Sequence, residues 1–392
     1  MEEARWRIIN PDGVRRVVIT KELPGSRWLQ YLVDADCRVE ICTSTEILTQ
    51  EQIASAIGDR CDGVIGQLTE TWGEPLFSKL SAAGARAYSN YAVGYDNVDV
   101  AAASRHRIPV GNTPGVLTGA TAEMAAALTL AAARRIGEAE RFLRAGKYRT
   151  WLPTLFLGEL LRGKTVGVIG AGRIGAAYAR IMVEGYKMNL VYFSLHPNPA
   201  LETFVSAYGR FLDSCGEPPV TWERADTIAA LLEKADCVSI HTVLNDSTRH
   251  MIDSRRLQKM KKTGILVNTS RGPVIDEAAL VDHCRKHPDF RAGLDVFEDE
   301  PNLAPGLAEL DNVVIVPHIA SATNWSREGM ATLAAANVAA LLQGYPAWQR
   351  AEISAFLEDH PPKAAPSIVN ADEVGIGQYS DRPTSRPHFI ET

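Results

Sequence analysis

The strongest constraint on this chain is the run Thr165-Val-Gly-Val-Ile-Gly170-Ala-Gly172-Arg-Ile-Gly175. A short apolar stretch leads into three glycines spaced G-x-G-x-x-G, and a helical pattern follows from Ala176 to Glu184. A strand feeding a helix through such a turn predicts a parallel α/β unit. Gly170 permits the tight turn, Gly172 lets the backbone approach a pyrophosphate, and Gly175 lets the helix settle on its strand. The helix N-terminus offers N–H groups and a positive dipole end to an anion. A glycine-rich turn that binds nothing is the other reading of the same residues.

The rest of the chain repeats the α/β rhythm. Val17–Thr20, Arg38–Ile41, Gly63–Ile65 and Ala87–Asn90 read as strands, with helices at Glu51–Ile57 and Pro75–Ala83 between them. Leu117–Arg144 reads as one long Ala-rich helical stretch, followed by a turn at Trp151-Leu-Pro153. Six further strands are expected at Thr165–Ile169, Asn189–Phe193, Cys237–His241, Gly264–Asn268, Arg291–Asp295 and Val313–Val316, and then a helix over Arg327–Leu342. Six strands with intervening helices suit a doubly wound sheet. The expected fold is therefore α/β with two Rossmann- or flavodoxin-like domains. The dinucleotide-binding domain (113–324) is inserted into a discontinuous substrate domain (1–112 and 325–392), and a ligand is expected in the cleft between them. The tail beyond Gly344, rich in Pro and polar residues, is expected to be irregular, draped on the first domain or disordered.

Composition excludes several classes of function. A net charge of −6 gives no electrostatic reason to hold nucleic acid or an anionic membrane. No apolar run approaches the roughly 20 residues of a membrane span. The six cysteines lie apart, with no C-x-x-C pair, so no metal site is expected and the thiols read as buried and reduced. Met1–Arg5 is acidic and Phe389–Thr392 is not an S-K-L-type tripeptide. The expected location is intracellular, in cytoplasm or mitochondrion rather than peroxisome.

Three polar positions follow apolar strands, where α/β sheets bind ligands. Arg271, in Asn268-Thr-Ser-Arg271-Gly-Pro, can grip a carboxylate with two parallel hydrogen bonds. The acidic run Asp295-Val-Phe-Glu298-Asp299-Glu300-Pro301 supplies carboxylates, most of them expected to be solvated loop charges. His318, after Val314-Ile-Val-Pro, is a candidate acid–base. Singly, Arg271 could serve a surface ion pair and His318 could be structural. Together they suit reduction of a keto acid, with a bound nicotinamide giving the hydride. Arg271 anchors the substrate, His318 gives the proton, and Glu300 beside it favours the imidazolium. The residue ending the second strand of this domain is Ser194, where Asp or Glu would repel a 2′-phosphate; no Arg comes directly after it to welcome one.

With Gly170–Gly175, Asn268–Pro273, Gly293–Pro301 and Pro317–Ser321 in this order, the chain resembles the D-isomer-specific 2-hydroxyacid dehydrogenase family over about residues 15–345. The resemblance implies an active site of Arg271, Glu300 and His318. It implies that Asp295 holds the nicotinamide carboxamide and that Arg173 and Ile174 lie along the pyrophosphate. Thr121, Ser194, Thr242, Thr269, Ser270 and Ser321 complete the implied cofactor set. Val93 and Gly94, in Ser89–Asp99, resemble the loop whose N–H groups bind the substrate carboxylate. Trp151 falls where related reductases send a Trp into the neighbouring subunit's pocket, which implies a homodimer. Cys61–Glu70, Ala179–Asn189, Pro366–Asn370 and an insertion at Leu201–Trp222, read as an extra helix (Phe204–Leu212) and a loop, are similar to the family's plant and algal photorespiratory hydroxypyruvate reductases.

The expectation is reduction of hydroxypyruvate, and of glyoxylate, by NADH, with NADPH admitted by Ser194. Another D-2-hydroxyacid substrate remains an alternative. So does formate oxidation on the same fold, although those enzymes resemble this chain with Gln in place of Glu300. A non-catalytic nucleotide sensor is a third reading, and an intact Arg271, Glu300 and His318 set argues against it.

Overall fold

A computed structural model describes residues 5–348, 350 and 352–380 of the chain. Met1–Ala4 and the C-terminal tripeptide, which bear on the expected compartment, lie outside the described residues. The chain divides into two compact units, Met1–Val116 with Asn324–Thr392, and Leu117–Thr323.

Among the described residues the first unit holds six strands: β1 (Trp6–Ile9), β2 (Arg15–Ile19), β3 (Cys37–Cys42), β4 (Gly63–Gly66), β5 (Ala87–Asn90) and β6 (Val110–Gly111), in the order β1-β3-β2-β4-β5-β6. β2 to β6 pair in parallel, whereas β1 runs antiparallel to β3. Pattern reading misses β1 and β6. β6 is two residues long, and β1 is an edge strand with no inside–outside alternation.

The helix Asn324–Leu342 is buried at almost every residue from Gly329 onward, as a helix apolar on all sides must be. Its one polar residue in the last three turns, Asn337, is fully enclosed. The Asn337 amide donates to Asn112 O (3.0 Å) and Ser89 Oγ (3.3 Å) and accepts from Ser367 N (2.9 Å). Among its described residues the tail expected to be irregular forms the short turns Ser354–Leu357 and Ala371–Val374. It is nevertheless sewn onto its own unit. Asn370 accepts from Val110 N (2.8 Å) and donates to Ile108 O and Ser104 Oγ (both 3.0 Å).

The second unit carries β7 (Thr165–Ile169), β8 (Asn189–Phe193), β9 (Trp222–Arg224), β10 (Cys237–Ile240), β11 (Ile265–Asn268), β12 (Arg291–Leu294) and β13 (Val313–Ile315). All pair in parallel in the order β13-β12-β11-β10-β7-β8-β9, a doubly wound sheet. Successive side chains enter opposite layers. Val166, Val168, Ile265 and Val267 pack with the helices Thr118–Ala133, Arg173–Tyr186 and Pro199–Ser214. Ile169, Val238, Ile240 and Leu266 pack with Ile228–Lys234, Ser254–Leu257 and Glu277–Lys286. Both faces are covered, so these strands read as continuous apolar runs.

Several expectations are corrected. The sheet has seven strands, because β9 emerges from the end of the insertion and pairs with β8. Leu117–Arg144 is two helices, Thr118–Ala133 and Ile136–Arg144, broken where Arg135 takes a left-handed conformation (φ 55°). The insertion helix spans Pro199–Ser214, longer than expected, with Asn198 capping Leu201 N (3.0 Å) and Pro199 in the first turn. Five cysteines are buried but Cys215, at the end of that helix, is exposed. Among the described residues no helix is long and apolar enough to cross a membrane.

Asn337→Ala should destabilise the protein by about 2–5 kcal/mol, because it leaves Asn112 O and Ser367 N enclosed without their partner. Urea unfolding at a fixed pH measures this, and a change under ~0.5 kcal/mol would show that the amide is not a keystone of the first unit.

Candidate active site

The order of the second sheet reverses at β7, which has β10 on one side and β8 on the other. Chains diverging to opposite faces leave a crevice at the carboxyl ends of such strands. The glycine turn occupies that point. Gly170 has φ 93°, and a Cβ on it would lie 2.4 Å from His241 O, the residue after β10. A Cβ on Gly175 would lie 2.0 Å from Gly170 O, so only glycine lets the helix Arg173–Tyr186 start there. Around Gly172 nothing stands within 4 Å of such an atom, leaving its backbone open. Thr242 Oγ1 and Thr269 Oγ1, just past β10 and β11, are buried without a protein partner. Glycines that cannot carry a side chain, an exposed helix start and orphaned hydroxyls along one sheet edge together fit a dinucleotide.

Arg271, Asp295, Glu300 and His318 follow β11, β12 and β13, three adjacent parallel strands, and so reach the same edge. Asn268 ends β11 and shapes the Arg271 loop: it donates to Arg271 O (2.8 Å) and accepts from Ser270 N (3.0 Å) and Oγ (2.7 Å). Gly272 then passes so close to the next loop that a Cβ would lie 1.8 Å from Phe297 O. His318 Nδ1 stands 2.8 Å from Glu300 Oε2, with the two side chains 26% and 28% exposed. Glu300 Oε1 also accepts from Phe297 N (3.0 Å). Burial pushes the Glu300 carboxyl up, but the His318 hydrogen bond and charge, Phe297 N–H and Arg271 together hold it below the usual carboxylate value.

His318 itself has φ 51°, a left-handed backbone rare outside glycine. Asp295 holds it there. The backbone of Asp295 accepts from His318 N (2.9 Å), and its side chain accepts from Ile319 N (2.6 Å) and Ala320 N (2.9 Å). Burial outweighs those donors and raises the Asp295 carboxyl above its usual value. Of the acidic run, expected to be mostly solvated, Asp295 is the exception, whereas Asp299 and Glu300 are exposed and Glu298 is half-buried. Asp295 is fully buried, and Glu298 is bound by His250 and exchanges backbone N–H bonds with Glu277 (3.2 and 3.3 Å). Asn268, Glu277 and His250 were not singled out from the sequence. Glu277 looks there like an ordinary first-turn acid after the capping Asp276.

The remaining expected residues fall as follows. Arg173 and Ile174 open the helix after Gly172, and Thr121 is buried on Thr118–Ala133. Ser194 directly follows β8, and Ser321 follows the His318 loop. Trp151 is 74% exposed, beside exposed Leu152, so within one chain it joins none of these residues. Val93 and Gly94 lie in the first unit, after β5. Their carbonyls accept from the side-chain amides of Asn112 (2.8 Å) and Asn90 (3.1 Å), which fix the loop.

These features define a class. The chain belongs to the D-isomer specific 2-hydroxyacid dehydrogenase family: residues 126–320 match its NAD binding domain. It is an oxidoreductase that works with a nicotinamide dinucleotide. It is 61% identical over 370 residues to the glycerate dehydrogenase of Cucumis sativus, covering 93% of this chain and 97% of that one. It is 60% identical over 373 residues to the peroxisomal glycerate dehydrogenase of Arabidopsis thaliana, covering 94% and 97%. A solved protein of Thermus thermophilus superposes with a TM-score of 0.75 at 34% identity, covering 90% of this chain and 99% of that one.

Beside Gly170, burial pushes the His241 imidazole down to about 3, and its Nε2 has no partner. A depressed histidine gives stability that is complete above its usual 6.5 and is lost as pH falls from there toward 3, because the unfolded chain binds the proton first. His241→Gln should therefore flatten the fall of the thermal midpoint across that window. An unchanged slope in the variant would remove His241 as its source.

Proposed function

We propose that this chain is a hydroxypyruvate reductase that also accepts glyoxylate, reducing a small 2-keto acid to D-glycerate or glycolate. The observation that carries the reading is the His318–Glu300 pair at 2.8 Å, set after β12 and β13 on the edge that begins with the glycine turn. The identity to two glycerate dehydrogenases over nearly the whole chain supports the choice of substrate.

The bound nicotinamide supplies the hydride. The Arg271 guanidinium binds the substrate carboxylate and polarises the adjacent carbonyl, a task suited to its planar donor fork. His318 carries the proton to the carbonyl oxygen through Nε2, because Nδ1 faces Glu300. Glu300, ionised because its carboxyl is held below the usual value, orients the ring through Nδ1. Asp295 keeps His318 in place through two backbone N–H groups and, with lone pairs to spare, takes the nicotinamide carboxamide. Gly170, Gly172, Arg173, Ile174 and Gly175 cradle the pyrophosphate, and Thr121, Thr242, Thr269, Ser270 and Ser321 line the remainder of the cofactor. Either dinucleotide suits this reading: NADH by the resemblance, NADPH because Ser194 carries no repelling charge. Exposed Trp151 is assigned to the pocket of a second copy, which makes the working form a homodimer. Formate oxidation needs no proton donor, so a histidine paired with a carboxylate favours the keto-acid reaction.

Following cofactor absorbance with hydroxypyruvate, glyoxylate, pyruvate and formate should show turnover with the first two. Turnover with neither would sink the proposal. His318→Ala should lower turnover by about 10²–10⁴-fold while nucleotide binding, read by fluorescence, stays close to wild type. Near-normal turnover would remove His318 from the donor role.

A further inference from the structure

Ser194 stands at the carboxyl end of β8, where an adenosine ribose is bound in a doubly wound sheet. No Arg or Lys comes directly after it, but the fold brings an arginine from 30 residues away. Arg224 ends β9, in register with Tyr192 of β8. Its Nη2 donates to Ser194 O (3.0 Å) and Leu195 O (3.3 Å), so the guanidinium is fixed against the backbone that carries the Ser194 hydroxyl.

Three features give this position chemical meaning. First, among the described residues Arg224 forms no ion pair. Glu223 pairs with Lys234 (2.5 Å) and Glu202 takes the Tyr192 hydroxyl, while exposed Asp226, two residues further on, forms no ion pair with Arg224 among the described residues. Second, Arg224 is exposed and a guanidinium has five N–H donors, so the two carbonyls leave most of its fork for an anion. Third, the Ser194 loop is tied to the glycine turn, because Asn198 Nδ2 donates to Ala171 O (2.8 Å). Pyrophosphate turn, serine hydroxyl and guanidinium thus belong to one connected edge.

We propose that Arg224 is a specificity-determining residue that binds an adenosine 2′-phosphate beside Ser194, so that the chain holds NADPH more tightly than NADH. The proposal rests on the cofactor reading of the Gly170–Gly175 turn and goes beyond it: the absence of a carboxylate at 194 merely tolerates the phosphate, whereas Arg224 attracts it. A fixed guanidinium meeting a dianionic phosphate makes charge-assisted hydrogen bonds, the strong kind.

The test is calorimetric titration of the full chain with 5′-ADP and 2′,5′-ADP, with no turnover involved. Wild type should bind 2′,5′-ADP about tenfold or more tightly than 5′-ADP, which corresponds to one such contact. Arg224→Gln should lose that advantage, Arg224→Lys should keep part of it, and Ser194→Asp should reverse it. The 5′-ADP affinity measured alongside reports whether a variant still folds its nucleotide edge. Equal affinities of wild type for the two ligands, or an undiminished preference in Arg224→Gln, would overturn the role of Arg224. Binding of neither ligand by wild type would overturn the cofactor reading and the Arg224 proposal with it.

Discussion

The parallel register that sets β7 between β8 and β10 is the constraint on which the second unit depends. Val166–Ile169 match Cys237–Ile240 on one side, and Thr165–Ile169 match Asn189–Phe193 on the other. In parallel pairing every strand ends at the same edge, and the crossovers must depart to opposite faces. The glycine turn, the orphaned threonines, Arg271, Glu300 and His318 share that edge for this reason. A slip of one residue would exchange the two buried layers, Val168 for Ile169 and Val267 for Leu266, so packing fixes the register firmly.

The His318–Glu300 pair is held largely by backbone. Asp295 engages three consecutive N–H groups, those of His318, Ile319 and Ala320, and Glu300 is braced by Phe297 N–H. Asn268 and Gly272 do the same for the Arg271 loop. Rigid backbone contacts place a ring and a carboxylate with little freedom to lose on binding, which suits the proton transfer proposed for them. His318 keeps its left-handed backbone because Asp295 outweighs the local preference against it.

Much of this is legible along the chain. The turn Gly170–Gly175 is visible because each glycine answers a local steric demand. The central strands are visible because burial on both faces makes them unbroken apolar runs. Arg271 and His318 are visible as polar residues closing such runs. The edge strands β1, β6 and β9 are not, being short or lacking alternation. The break at Arg135 carries no proline, and the neighbouring Gly137 lies inside the second helix rather than at the left-handed residue. By pattern alone Asp295 looks like one more solvated loop charge, because a burial created by neighbouring loops leaves no local mark.

The sequence alone therefore determined the family of fold, the phosphate turn and the candidate set Arg271, Glu300 and His318, since each is encoded by spacing within a few residues. Tertiary structure alone decided which carboxylates are buried, which backbone groups orient His318, and that Arg224 reaches Ser194. Those facts depend on strand order and on loops meeting across tens of residues, and no local pattern records which distant segment will arrive. At the feature first singled out, the glycine turn, local sterics and sheet order agree: Gly170 is required both by its own turn and by the close passage of His241.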